Sequence, residues 1–294
     1  MNSPRDLRRR IKSISGTSQI TRAMQMVAAS KMRKAQQAAI VSQPFARLLY
    51  RMQRTATTRL LGFSDPLLEV RPVKTRAVIL VAADKGLCGP LNTNVFRLAA
   101  QFDQASTLYI TAGRKAAQFV ARSRRRLAAE FAYGDSPTFL EARAISSFAR
   151  DLFLKGEVDQ VVIVTTRFVN TLTQQAVTLE YLPIGEITSL KVVGAPSQEE
   201  LADIHEDTVF EPDAESVMSY LIGQYLNIFL YYTLLHAKAS EQSARMVSMK
   251  NATDAAEDLI KSLKLEYNKL RQGNITKELL EIAGGQAQRA SPVT

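Results

Sequence analysis

"MVSMKNATDAAEDLIKSLKLEYNKLRQGNITKELLEI", residues 246–282, decides how this chain is read. Met246, Thr253, Ile260 and Tyr267 fall seven apart, and so do Met249, Ala256, Leu263 and Leu270. The same two series continue upstream through Tyr225, Tyr232 and Ala239, and through Leu221, Ile228, Leu235 and Gln242. Read as a and d positions, they make about seven heptads of one helix. At 1.5 Å per residue that helix is roughly 80 Å long. A compact domain cut from a chain of 294 residues is far narrower, so most of the helix needs a partner elsewhere.

The only other long helical pattern is at the start. Residues 5–59 are rich in Ala, Met, Gln, Lys and Arg, which are good helix formers. Leu7, Ile11 and Ile14, then Ile20, Met24, Val27 and Ala28, then Met32, Ala35 and Ala39 recur at steps of three and four. Pro44 is expected to kink this helix or end its first part. Small residues near Ala23, Ala28, Ala29 and Ser30 allow a second helix to come close. The two terminal helices are therefore expected to pair antiparallel. Between them the pattern changes. "RAVILVAA" (76–83), "TLYITA", "VDQVVIVTTRFV" and "QQAVTLEYLPI" read as strands. "GPLNTNVFRLAAQF" (opening at Pro90), "RKAAQFVARS" and "PTFLEARAISSFARDLFLKG" (closed by Gly156) read as helices. Strands alternating with helices imply a mostly parallel sheet, with the last two strands antiparallel. Residues 187–211 read as an irregular connection, and Pro212 opens the last helix.

Charge divides the chain unevenly. Residues 1–59 hold thirteen Lys or Arg and a single acid, Asp6, a net +12, whereas the whole chain carries +10. The excess suits an acidic protein, an anionic surface or a nucleic acid. No aromatic residue interleaves the first forty positions and no nucleic-acid motif is present, which argues against the last. Cys88 is the single cysteine, so no internal disulfide is possible. His205 and His236 are the only histidines and suggest no metal site or triad. "VMSYLIGQYLNIFLYYTLLH" (217–236) lacks charge but is broken by Ser219, Gln224 and Asn227. It reads as a buried helix rather than a membrane span.

Candidate chemistry is thin. "AADKGLCGPLNTN" lies between a strand and a helix, where a phosphate loop would sit. Its second glycine, Gly89, is followed by Pro90 rather than Lys and Ser or Thr, and there is no GxGxxG. It reads as a tight turn or a subunit contact. Asp84, Asp103, Asp135 and Asp159 have no spacing that makes a carboxylate site and read as solvated loop residues. "RSRRR" (122–126) reads either as a solvated face or as a patch for a membrane surface or an acidic loop. An α/β enzyme with a helical extension is the competing class, and the missing phosphate motif counts against it.

"ITRAMQMVAASKMRKAQ", "DKGLCGPLN", "SARMVSMKNATDAAEDLI" and "YNKLRQGNITKELLEI" occur in an order that resembles the gamma subunit family of rotary F-type ATP synthases. The resemblance spans almost the whole chain. It implies an α/β fold class: a long antiparallel coiled coil of N- and C-terminal helices plus a Rossmann-like α/β domain with a mostly parallel sheet. The implied divisions are an N-terminal shaft helix (1–61), a linker (62–75), the α/β domain with a trailing loop (76–211), and a C-terminal shaft helix with a short tail (212–294). The implied function is that of a non-catalytic central shaft coupling proton flow to ATP synthesis or hydrolysis. It holds no cofactor of its own, since ATP, ADP and magnesium belong to partners. Those partners are the alpha and beta subunits of the catalytic ring, the epsilon and delta subunits and the membrane ring of c subunits, with one shaft per complex. The family-like part begins by about Leu7, which removes the reading of the Arg-rich start as an organelle leader. It favours a peripheral location on the cytoplasmic side of a bacterial inner membrane. Residues at the places of Met24, Arg271 and Gln272 are expected to meet a beta subunit. Gly273 departs from the family pattern, costs about 1 kcal/mol in helix propensity, and is expected to let the tip bend or fray.

Overall fold

The computed structural model describes residues 3–59, 64–184, 211 and 213–289; for 42–59, 214 and 282–289 it describes the backbone alone. Of the 187–211 connection only Glu211 is described; Pro212, Gly62 and the final residues of the tail lie outside the described residues. The described chain contains α1 (Pro4–Arg59), β1 (Arg76–Val81), α2 (Leu91–Ala99), β2 (Thr107–Ala112), α3 (Arg114–Arg122), β3 (Arg126–Phe131), α4 (Phe139–Leu154), β4 (Gln160–Phe168), β5 (Gln174–Leu182) and α5 (Ala214–Arg289). It divides into two compact units, one of Met1–Val27 with Ser248–Thr294 and one of Ala28–Val247.

The larger unit is built on a five-stranded sheet in the order β3-β2-β1-β4-β5. The first four strands are mutually parallel and β5 runs antiparallel to β4. Both faces of the sheet are covered, so its central strands are almost continuously apolar. Ala77, Ile79 and Val81 of β1 join Ile145, Ala149 and Phe153 of α4 and Met218, Ile222, Leu226, Leu230 and Leu234 of α5. Val78 and Leu80 point the other way, to Val95 and Ala99 of α2 and Ala116 and Val120 of α3. Burying a side chain of this size contributes about 1.5–3 kcal/mol. The uncharged run 217–236 is thus the part of α5 that packs on the sheet. Among the described residues no helix is long and apolar enough to cross a membrane.

Helix boundaries follow local chemistry. Ser3 caps α1: its hydroxyl accepts from the Asp6 amide at 3.2 Å and donates to the Asp6 carboxylate at 2.8 Å. Asp213 caps α5, accepting from the Ser216 amide at 2.7 Å. Thr138 and Glu141 form a reciprocal capping box at the start of α4. Of the two outcomes expected at Pro44, an end of the helix is excluded: α1 runs on to Arg59.

Every a and d position named for α5 is buried or half-buried, from Leu221 to Leu270, whereas residues 271–281 are all exposed. The seam of α1 differs from the sequence expectation. In the smaller unit it runs through Leu7, Ile11, Ile14, Ser18, Thr21 and Gln25, and in the larger through Ala28, Met32, Ala35 and Ala39. Ile20 and Val27, assigned above to the apolar stripe, face outward at 62% and 54% exposure. A strict seven-residue repeat skips them, and polar Ser18, Thr21 and Gln25 take the seam instead. In the smaller unit the helices pair antiparallel, with Thr21 opposite Thr253 and Arg22 bound to Glu257 at 2.9 Å.

Strand β3 has no counterpart in the sequence reading, which took residues 122–126 for a basic surface run. Arg125 in that run is structural. Its guanidinium donates to the carbonyls of Phe102 (2.9 Å) and Ala100 (3.0 Å) and to the Tyr109 hydroxyl (2.8 Å). A cation here satisfies carbonyls left open where α2 ends. Arg122, Arg124 and Arg126 remain exposed.

Candidate functional site

In a doubly wound sheet, ligands bind outside the carboxyl ends of the strands, where the strand order reverses. Here that reversal lies between β1 and β4. The loop after β1, Ala82–Gly89, stands at the place of a phosphate cradle. Part of its backbone is committed to internal work. The Ala83 amide donates to Asn92 Oδ1 (3.2 Å), and Leu87 and Gly89 both adopt left-handed φ, at 64° and 58°. Asp84 accepts from the Arg114 amide at 2.9 Å, tying this loop to the start of α3. Gly113, at φ 96°, passes so close that a Cβ there would sit 2.1 Å from the Ala82 carbonyl oxygen.

Three polar residues of α5 occupy these strand ends. Arg245 donates to the carbonyls of Lys85 (3.2 Å) and Gly86 (3.2 Å) and to Glu241 (2.8 Å). Lys238 donates to the other oxygen of Glu241 at 3.0 Å, lies 3.7 Å from Asp135, and sits 5.0 Å above the ring of Tyr133. Lys238 is only 1% exposed and Glu241 only 3%. Burial of charge at this depth requires full pairing, and here each charge has an opposite one. Asp135, in the loop between β3 and α4, also takes a hydrogen bond from Lys31 of α1. One carboxylate therefore binds both terminal helices, and that Lys31 contact, with Lys238 beside it, holds its pKa below the usual carboxylate range. Tyr133 donates to the Ala82 carbonyl at 3.1 Å. Its complete burial, with Glu241 and Asp84 nearby, pushes the phenol far above its ordinary pKa.

Cys88 packs beneath this loop, 2% exposed, accepting from Asn92 Nδ2 at 3.5 Å. Burial raises its thiol pKa, which disfavours the thiolate. No group of residues suited to a metal ion occurs among the described residues. At the strand ends, Arg245 of α5 takes up the Lys85 and Gly86 carbonyls of the loop after β1. Chemically this arrangement holds elements together.

Of the four aspartates read as solvated loops, three bind backbone. Asp84 holds Arg114, Asp103 accepts from Ser106 (2.9 Å), and Asp159 accepts from the Lys74 and Thr75 amides (2.8 and 2.9 Å). Sequence reasoning overlooked Lys238, Glu241 and Arg245. The available signal was a cluster of three charges on three adjacent turns of an otherwise uncharged stretch.

The three residues expected to meet a partner lie in the smaller unit. Met24 is half-buried on α1, and Arg271 and Gln272 are exposed on α5 just past the last seam residue, Leu270. They are not gathered into one site. Thr21 faces Thr253, and Arg271 lies eighteen residues further on, about 27 Å along the helix. Between these places Arg8, Ile11, Lys264, Tyr267 and Asn268 line an open groove of about 390 Å³.

An α/β body gripped by its own long helix, in a chain whose terminal helices pair through heptads, has the architecture of a helical stalk subunit. Residues 3–288 match the family model described as ATP synthase. The chain is 46% identical to the ATP synthase gamma chain of Opitutus terrae, over 99% of this chain and 100% of that one. It is 40% identical to that of Methylacidiphilum infernorum, over 97% and 99%. The chain belongs to the ATP synthase gamma chain family. Its fold resembles a chain of the Euglena gracilis mitochondrial ATP synthase (OSCP/F1/c-ring, rotational state 3), with a TM-score of 0.69 at 19% identity, covering 99% of this chain and 97% of that one. It also resembles a chain of the central stalk and c-ring structure of the Tetrahymena thermophila mitochondrial ATP synthase, with a TM-score of 0.59 at 23% identity, covering 79% and 99%.

Proposed function

We propose that this chain is the non-catalytic central rotor shaft of an F-type ATP synthase, coupling ion flow through the membrane sector to ATP turnover on alpha and beta subunits. The observation that carries this reading is the 46% identity with a gamma chain along essentially the full length of both proteins. The grip of Arg245 on the loop after β1 supports it, because it ties the long helix to the α/β body. In energetic terms the shaft binds each conformation of a catalytic subunit differently, and only such differential binding shifts an equilibrium. The ion is taken to be the proton. The complex is placed on the cytoplasmic side of a bacterial inner membrane, with epsilon and delta subunits and one copy of this chain.

Within the chain, 1–61 and 212–294 form the shaft, 62–75 is a linker and 76–211 forms the foot on the c ring. Met24, Arg271 and Gln272 are the contacts to a beta subunit. Exposure of every residue from 271 to 281 supports a tip that finds its cover in other chains. Native mass spectrometry of the complex purified through this chain tests the proposal. One copy with three alpha and three beta subunits is expected. Recovery of the chain alone, or hydrolysis of ATP by it alone, would overturn the reading.

A further inference from the structure

A shaft that carries torque needs a joint that resists turning, and apolar packing is poor at that. Hydrophobic burial is non-directional, so two packed apolar faces resist separation more than they resist sliding. Hydrogen-bonded ion pairs fix angle as well as distance, Arg forks above all. In the larger unit such pairs are concentrated at one place. Asp135 holds Lys31 of α1 and stands 3.7 Å from Lys238 of α5. Glu241 joins Lys238 to Arg245, at 3.0 and 2.8 Å. Arg245 holds the carbonyls of Lys85 and Gly86 in the loop after β1. Tyr133, beside Asp135, closes the circuit on the carbonyl of Ala82, the residue after β1.

We infer that Asp135, Lys238, Glu241 and Arg245 form the torque-bearing joint that fixes the angle of the two terminal helices against the α/β body. The inference rests on the rotor reading above and deepens it. Three features support it. The network engages two separate loops of the body, so it opposes turning as a two-point grip. One carboxylate serves both helices, so they are held as a pair. Lys238 and Glu241 are sealed from water, so their attraction escapes the screening that weakens surface pairs.

The test uses the whole complex, with the catalytic ring fixed to a surface and locked by nucleotide, and a probe attached to the foot. The angular fluctuation of the probe reports the torsional stiffness of the rotor. Asp135→Asn is the decisive variant, because Asp135 is half exposed on a loop and its loss leaves the apolar core intact. Lys238→Met, which keeps length and removes charge, is the second. Each is expected to raise the angular variance at least twofold and to lower the number of ions pumped per ATP hydrolysed. Lys261→Met, which removes an exposed pair with Asp258, is the control and should change neither. Wild-type variance and coupling for Asp135→Asn in complexes of wild-type composition would overturn the joint. A wild-type complex whose probe fails to rotate on ATP would instead defeat the rotor reading itself.

Discussion

Gly113 shows how a single residue sets the spacing of two strand ends within the α/β body. Its φ of 96° and the 2.1 Å approach of a would-be Cβ to the Ala82 oxygen leave no room for any side chain. The obstacle is backbone and cannot rotate away. Gly113→Ala is expected to destabilise the subunit by about 3 kcal/mol or more, combining left-handed strain with displacement of β1. Denaturant unfolding checks this, and a loss below about 1 kcal/mol would show that the loop yields. His236 makes a second residue-scale case. Burial, aided by Arg167, lowers its pKa from the ordinary value. The folded state therefore binds this proton less readily than the unfolded chain does. Its contribution to stability is complete above about pH 6.5, the unfolded value, and is lost as pH falls through the lower folded value. Melting temperatures at pH 7.5 and 5.5 should fall further apart in the wild type than in His236→Gln. Equal shifts would remove His236 from the acid response.

At the scale of the element, the coiled coil was legible in its spacing but not in all its content. The a and d series of α5 was readable because each residue is seven from the next, whatever its polarity. The α1 seam was misjudged at Ile20 and Val27, since apolar character outweighed phase in the reading. Where the phase goes, Thr21 and Thr253 meet at 2.7 Å, and each hydroxyl also lies within bonding distance of a carbonyl on its own helix. A double-mutant cycle with Thr21→Val and Thr253→Val is expected to return a coupling of about 1 kcal/mol, because each single change removes the cross-helix bond. Additive effects would mean that the two hydroxyls are indifferent to each other. Met249, 4% exposed, is the neighbouring seam residue. Met249→Asp should cost several kcal/mol, the penalty of an unpaired buried charge, and an unchanged melting temperature would refute the seam. Strand β3 was illegible for a different reason. It is an edge strand with little buried surface, and it begins inside a run of arginines, one of which serves the end of α2. In the charged network on α5, the pairing of Glu241 with Lys238 and Arg245 is local and readable from spacing, whereas the links to Asp135, Lys85 and Gly86 lie more than a hundred residues away and leave no local pattern.

At the scale of the whole molecule, the chain keeps its cores covered and leaves the far end of α5 exposed. From Arg271 to Glu281 every side chain is open to solvent, including Ile275, Leu279 and Leu280. A run of exposed apolar residues on a helix marks a surface that other chains cover. Arg271 and Gln272 stand at its entrance, directly after Leu270 leaves the seam. The proposed role is a latch holding the shaft at one angle against a beta subunit, with Arg supplying a planar fork for a carboxylate and Gln both a donor and an acceptor. Neither side chain supports the fold of the subunit itself, so Arg271→Ala should change the stability of the isolated chain by no more than about 0.5 kcal/mol. In the complex the same change should lower ATP turnover, because an angle-dependent interaction is lost. Arg271→Lys should restore only part of it, since an ammonium keeps the charge but not the fork. Gln272→Ala should behave like Arg271→Ala. The double variant should lose less than the sum if both groups grip one loop, as groups sharing a partner are not additive. The measurements are steady-state hydrolysis and ion-driven synthesis in complexes of verified stoichiometry. Wild-type rates in both directions for all three alanine variants would remove these residues from the coupling path, leaving the exposed tip as an apolar plug alone.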